Sequence, residues 1–101
     1  MIVENEKKFR GTSKKEAKKA IKKTRKLLDK KSECEGWRYV YLSFSKDRDI
    51  VDILNLGSYY YKEDCEKFEK LLRTGEKIIE EKEFDRFYFT VTFSNESIES
   101  F

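Results

Sequence analysis

The sequence holds few of the side chains that commonly do chemistry in proteins. It has no histidine, which removes the commonest general base, the commonest metal ligand and the Ser-His and Cys-His nucleophile systems. No GxxxxGK(S/T) or GxGxxG run is present to cradle a phosphate. Two cysteines, Cys34 and Cys65, are too few for a structural zinc site, and we expect both to be reduced thiols. The chain is therefore predicted to be non-enzymatic, with no cofactor and no metal.

Carboxylates offer one catalytic alternative, a metal-dependent nuclease. Asp47, Asp49 and Asp52 lie close together in sequence, and Glu80-Glu81-Lys82 has the acid-x-Lys spacing used by some nucleases. The same spacing recurs elsewhere in the chain, as chance predicts when 43% of the residues are charged. A solvated turn and a charged helix end explain these residues equally well, so the nuclease is a remote alternative.

The strongest chemical signal is positive charge concentrated near the N-terminus. Residues 1–31 hold 13 Lys and Arg against 4 acids, a net of +9, whereas residues 32–101 hold 10 against 16, a net of −6. Most of these cations fall in a predicted helix over 13–31, where like charges four residues apart repel one another. An anionic partner would relieve that repulsion, although a merely solvated lysine face is the plain alternative. The candidate contacts for phosphate or for an acidic protein surface are Lys14, Lys15, Lys18, Lys19, Lys22, Lys23, Arg25 and Lys26.

Aromatic residues form a second candidate surface. Within 37–45 the residues alternate, which predicts a strand with an aliphatic face and an opposite face bearing Trp37, Tyr39 and Tyr41. Tyr88 takes the outward face of another predicted strand. Such residues on an open sheet stack nucleic-acid bases or form protein contacts, including a homodimer through the sheet face. No RNP1-like run is present, so the chain does not look like an RNA-recognition motif.

The elements that must position these residues alternate between strand and helix. Residues 2–10 predict a short edge strand with Val3 and Phe9 facing inward, or else an N-terminal arm. Ser13 and Glu16 then have the spacing of a capping box. An apolar stripe follows at helical spacing, formed by Ala17, Ala20, Ile21, Thr24, Leu27 and Leu28.

Gly36 closes the connection from this helix to the first aromatic strand. The polar turn at 46–49 leads to a second strand over 50–56, which we expect Gly57-Ser58 to interrupt. A second helix begins near Lys62. Its inward residues are predicted to be Cys65, Phe68, Leu71 and Leu72.

The end of the second helix has two interpretations. Gly75 either terminates it as the C′ residue or lies on the apolar face of a helix that continues through Ile79. The phase of the apolar residues favours the longer helix. Residues 86–93 predict the strongest strand, and residues 95–101 predict a frayed polar tail.

The order β-α-β-β-α-β predicts a single α+β domain over 1–101. Its expected form is the ferredoxin-like split sandwich, an antiparallel sheet with two helices on one face. If residues 1–10 are an arm, a three-stranded sheet with two helices remains. The usual split-sandwich order would place the two aromatic strands at opposite edges. No membrane span or secretory signal is visible, so we expect a cytoplasmic protein without membrane partners.

These features predict a small interaction or inhibitor module that docks on a nucleic-acid-handling protein or complex. A short chain rich in Lys, Glu and Tyr is typical of the small viral inhibitors of phages and mobile elements, a likeness of composition alone. The alternative is a protein that binds nucleic acid directly through the basic helix, mainly by phosphate contacts and with little sequence selectivity.

Overall fold

The computed structural model describes residues 2–30 and 37–96, and the side chains within 6–26, 39–57 and 66–92. Four strands form one antiparallel sheet in the order β1-β4-β2-β3. The predicted α+β class is confirmed, and the three-stranded alternative is wrong because β1 pairs with β4 along its length. The elements are β1 (Ile2–Gly11), α1 (Lys14–Lys30), β2 (Trp37–Lys46), β3 (Asp49–Tyr60), α2 (Tyr61–Glu81) and β4 (Arg86–Glu96).

The last strand is longer than the sequence predicted. β4 continues to Glu96, so the first residues of the expected tail belong to the sheet, where Asn95 and Glu96 pair with Val3 and Ile2. Other predictions lie outside the described residues. They concern Cys34, Gly36, the tail over 97–101 and the side chains of Val3, Leu27, Leu28, Trp37 and Cys65.

The strand order differs from that of a ferredoxin-like split sandwich. That fold puts the second and fourth strands at opposite edges, whereas β2 and β4 are neighbours at the centre of this sheet. Burial is greatest at the centre of the sheet, where the inward residues of β2 and β4 lie beneath the two helices, and β1 and β3 form the edges. The central strands contribute large side chains that are almost fully buried, namely Val40, Leu42, Phe44, Phe87, Phe89 and Val91.

Both helices pack on the same face of the sheet. α1 lies over β1 and β4, α2 lies over β3 and β2, and the two helices contact each other. The predicted α1 stripe is buried from Ala17 to Thr24, and Phe68 and Leu72 are the fully buried residues of the predicted α2 set. In the part of the chain that is described, neither helix combines the length and the apolar character needed to cross a membrane.

α1 begins at the motif that the sequence indicated. The Glu16 backbone N–H donates to Ser13 Oγ at 3.2 Å, and that hydroxyl donates to Glu16 Oε1 at 2.9 Å. In a full capping box the glutamate would accept from the serine backbone N–H instead. Thr24, the polar member of the buried stripe, donates to the Ala20 carbonyl at 2.8 Å, so its hydroxyl is satisfied within the helix.

The longer form of α2 is confirmed, because the helix continues through Gly75 to Glu81. Gly75 is buried, and a Cβ at this position would lie 3.0 Å from Leu42 Cδ1 and 3.2 Å from Ile21 Cδ1. The missing side chain therefore lets α2 approach both the sheet and α1 closely. A helical glycine costs about 1 kcal/mol relative to alanine, and the close packing offsets this cost.

The expected interruption of β3 at Gly57-Ser58 is wrong, because the strand runs on to Tyr60. Two register shifts against β2, one near Gly57 and one near Val51, each accommodate one extra β3 residue. Such β-bulges preserve pairing while they increase the local twist. Gly57 also admits an aromatic ring, because a Cβ there would lie 3.2 Å from Tyr39 Cδ2.

An ion pair ties the end of α2 to β3. Lys82 Nζ lies 2.7 Å from Asp52 Oδ2, and the Ile53 backbone N–H donates to the other oxygen, Oδ1, at 2.9 Å. The hydrogen bond from Lys82 is the largest of the effects that lower the pKa of Asp52. The folded protein therefore favours the charged carboxylate.

Replacing Asp52 with asparagine is expected to remove a stabilising contribution that depends on pH. Since folding lowers the pKa of Asp52, its contribution is complete above the unfolded value of about 3.9 and is lost as the pH falls through the lower folded value. Urea unfolding from pH 7 down to about pH 2 should therefore show a gap between wild type and Asp52→Asn that closes only below about pH 4. Asp49→Asn, at an exposed position of the same strand, is the matched control. A gap that stays constant down to the lowest pH would contradict the role of the ion pair.

Candidate interaction surfaces

The acidic residues of the nuclease alternative are not gathered at one site. The carboxylate of Asp52 is paired with Lys82, and the Asp47 backbone N–H donates to Asp85 Oδ2 at 2.9 Å in the β2–β3 turn. Within the described ranges, no three His, Cys, Asp or Glu side chains come together in a way that could hold a metal ion.

The flank of α1 that faces α2 is compensated by acids. Arg25 Nη2 lies 2.6 Å from Glu76 Oε1, and Arg25 Nε lies 3.2 Å from Glu69 Oε1. The hydrogen bond with Glu76 makes the largest contribution to raising the pKa of Arg25. Lys18 Nζ lies 3.9 Å from Glu80 Oε1. Arg25 therefore joins the two helices, and its charge is already matched within the protein.

Other cations of α1 form an exposed surface, the lysine face. It consists of Lys15, Lys19, Lys22, Lys23 and Lys26, and within the described residues none of these forms a salt bridge. At 100° per residue, Lys15 and Lys26 point directly away from the buried stripe, and Lys23 turns toward β1. The remaining predicted contact is Lys14, which lies near Glu83. The hydrogen bond from Lys46 is the main cause of the lowered pKa of Glu83, and the charge of Lys14 lowers it further.

A cleft of about 350 Å³, the α1–β1 cleft, lies between the lysine face and the edge of the sheet. Residues of β1, α1 and β4 line it, and its apolar residues come from all three elements. The lining residues are Lys8, Phe9, Arg10, Glu16, Lys19, Ala20, Lys23 and Phe87.

The sheet surface opposite the helices, the open face, carries the predicted aromatic residues. Because β2 and β4 are neighbours, Tyr41 lies beside Thr90 and Tyr88 lies beside Ser43, so the aromatic positions share one continuous surface. Tyr39, Tyr41 and Tyr88 are each half-buried. Trp37 belongs to β2 by its backbone.

Two isoleucines extend the open face onto β3. Ile53 pairs with Ser43 and Ile50 pairs with Ser45, which places both on the side away from the helices. Ile50 is 66% exposed and Ile53 is 39% exposed, and they are the large hydrophobic residues left most accessible among those described. The open face is therefore aromatic at its centre and aliphatic toward the β3 edge.

Basic residues border the open face on its β1 side. The register places Lys8 opposite Thr90 and Arg10 opposite Tyr88. The Arg10 guanidinium carbon lies 5.9 Å from the centre of the Tyr88 ring, within range of a cation–π interaction. Lys8 and Arg10 thus connect the open face to the α1–β1 cleft around the edge of the sheet.

Sequence reasoning missed Lys8, Arg10, Ile50 and Ile53 as surface residues. The alternation of Lys8 and Arg10 with Phe9 was a signal for the first pair, since strand residues two apart share a face. The exposure of Ile50 depends on the bulge near Val51, for which the sequence has no clear signal.

No protein-family model matches the chain, and no curated protein matches it.

Proposed function

We propose that this protein is a non-enzymatic interaction module that docks through its open face on a nucleic-acid-handling protein or complex in the cytoplasm. The observation that carries the proposal is the exposure of Ile50 and Ile53 beside the half-buried tyrosines of β2 and β4. Protein interfaces combine an apolar and aromatic centre with a polar rim. Here Lys8, Arg10 and Thr92 supply polar groups around that centre.

The mixture of side chains favours a protein over stacked bases as the occupant of the open face. A base-stacking platform needs accessible ring faces, and the Arg10 guanidinium lies over one face of Tyr88. Ile50 and Ile53 offer aliphatic surface that gains from burial against another protein, at about 25 cal/mol per Å². A module of this size that covers a working surface of its partner would act as an inhibitor, as small proteins of phages and mobile elements do.

The lysine face supports the proposal that the partner is a protein or complex that handles nucleic acid. Proteins that handle nucleic acid work beside phosphates, and such complexes also carry acidic surfaces that exclude or mimic nucleic acid. A module with an apolar open face and an exposed lysine face on α1 fits both kinds of surface. The same lysines favour a second candidate function, direct binding of nucleic acid through phosphates.

The decisive experiment is capture with matched variants. The full chain is immobilised as wild type, as Ile50→Asp/Ile53→Asp and as Thr12→Asp/Thr74→Asp, which adds the same two charges at exposed positions outside the open face. Lysate of the source organism is digested with nuclease before capture. We expect wild type and the control to retain the same protein, and the open-face variant to bind it about 30-fold more weakly, as loss of an interface hot spot would predict.

Two results would overturn the assignment. Equal retention by the open-face variant would remove the open face from the interaction. If a protein is retained from undigested lysate but not from digested lysate, the second candidate is favoured. A salt series then tests that candidate, because log K on duplex DNA should fall against log salt concentration with a slope of about −0.9 per phosphate contact. Sedimentation of the purified wild type and Ile50→Asp/Ile53→Asp shows whether a second copy of the chain occupies the face instead.

A further inference from the structure

β1 presents a long, regular strand edge beside the α1–β1 cleft. The strand pairs with β4 without a register shift from Ile2↔Glu96 to Gly11↔Phe87. Among the described strands none pairs with its other edge, because β1 ends the order β1-β4-β2-β3. The opposite edge of the sheet, β3, carries two register shifts. A flat edge with free backbone groups accepts a further strand, whereas bulges turn an edge away from pairing.

The cleft borders the edge of β1 to which a further strand could add. Three consecutive residues of β1, from Lys8 to Arg10, line it on one side, and α1 lines it on the other. Phe9, Ala20 and Phe87 supply apolar surface within it. Extended peptides are recognised in this way when backbone hydrogen bonds to an edge strand provide affinity and neighbouring side-chain contacts provide specificity.

The positive charge of the cleft favours acidic side chains on an added strand. Lys19 and Lys23 bring positive charge to the cleft from α1, against a single lining carboxylate, Glu16, which already accepts a hydrogen bond from Ser13. The register directs the side chains of Lys8 and Arg10 to the open face, on the other side of the same edge. Lys19 and Lys23 are one helical turn apart, a rise of about 6 Å. Side chains two apart on a strand repeat at about 6.6 Å, so alternate acidic residues of an extended peptide match this spacing.

We propose that the α1–β1 cleft binds an acidic, extended peptide segment of a partner protein, which adds to β1 as a fifth strand of the sheet. The inference rests on the proposed function as a protein-interaction module and adds a second contact to the open face. A nucleic-acid strand would use the lysines of the cleft but would leave the backbone edge of β1 unused. The peptide uses both, and the basic side chains along the edge discriminate against basic strands.

The first test uses a defined probe and the full chain. The probe is a fluorescent decapeptide of alternating Glu and Val with blocked termini, and the same peptide with Lys in place of Glu is its control. We expect the acidic probe alone to bind, and Lys19→Gln/Lys23→Gln to weaken it about tenfold or more. Lys15→Gln/Lys26→Gln removes the same charge on the side of α1 directed away from the sheet, and binding should change less than about threefold.

The second test separates strand addition from simple charge attraction. Two versions of the acidic probe carry N-methyl groups on alternate residues, one version on each set. Only one edge of an added strand bonds to β1, so one version should lose binding and the other should retain it. Equal binding of both versions, or binding of a ten-nucleotide thymidine strand without binding of the peptide, would overturn the proposal.

The open-face variant keeps the two proposals distinguishable. Ile50→Asp/Ile53→Asp should bind the acidic probe as wild type does, because both positions lie on β3 at the opposite edge of the sheet. If wild type fails to bind the probe while the open-face variant still loses its captured partner, the cleft inference falls and the interaction module stands.

Discussion

Replacing Phe44 with alanine is expected to lower the free energy of unfolding by about 3–5 kcal/mol. Phe44 is fully buried on β2, and its ring meets Phe84 at 5.2 Å and Phe89 at 5.3 Å between centroids, both edge-on. The truncation removes a large apolar surface and leaves a cavity that rigid neighbouring strands cannot fill. Since a domain of this kind is stable by about 5–15 kcal/mol, the variant should approach the limit of folding.

Urea unfolding followed by circular dichroism measures this effect. Ile53→Ala is the control, because Ile53 is 39% exposed on an edge strand and its truncation should cost about 1 kcal/mol or less. Phe44→Leu should fall between the two variants, since most of the ring's volume is retained. A loss below about 1 kcal/mol for Phe44→Ala would contradict the placement of this ring at the centre of the core.

Gly75→Val is expected to destabilise the protein by about 1–3 kcal/mol through overpacking. The position is buried where α2 crosses both α1 and the sheet. The first added carbon would already lie 3.0 Å from Leu42 Cδ1 and 3.2 Å from Ile21 Cδ1. Valine adds two further carbons at this already crowded position, so we expect the helix to move outward and lose contact with the core.

The matched control is Thr74→Val, one position earlier on the exposed side of α2. It introduces the same side chain and removes only the hydroxyl bond from Thr74 to the Lys70 carbonyl, so a change within about 0.5 kcal/mol is expected. Gly75→Ala should lie between wild type and Gly75→Val, since about 1 kcal/mol of helix propensity opposes the milder crowding. Wild-type stability for Gly75→Val would show that the helix does not pack as closely as its backbone indicates.

Local patterns were sufficient to predict the elements and most of the core. The α1 stripe from Ala17 to Thr24 was readable because its spacing depends only on the geometry of one helix. The phase of the apolar residues also favoured the longer α2, which continues through Gly75. Three strands were predicted outright, and residues 2–10 were left open between an edge strand and an arm. β3 extends past Gly57 because a bulge preserves its pairing.

The arrangement of these elements in space could not be predicted from local sequence patterns. The strand order depends on how burial compares among all four strands, which local alternation does not measure. The pairing of Arg25 with Glu69 and Glu76 joins residues 44 and 51 positions apart, so the charge count near the N-terminus overstated the free charge of α1. Conversely, Lys8 and Arg10 line the same cleft as Lys19 and Lys23 only because β1 is the edge strand beside α1.

The unequal flanks of α1 determine how a charged molecule first meets this protein. On the side that faces α2, Lys18 and Arg25 are paired with acids, whereas Lys19 and Lys23, which line the α1–β1 cleft, form no salt bridge among the described residues. The electrostatic field of the helix therefore points sideways toward β1 rather than uniformly into solvent. Such a field orients an anion during diffusion, so added salt should slow its association while leaving its dissociation nearly unchanged. The electrostatic field would then direct an anion to the α1–β1 cleft, where the edge of β1 is available for pairing.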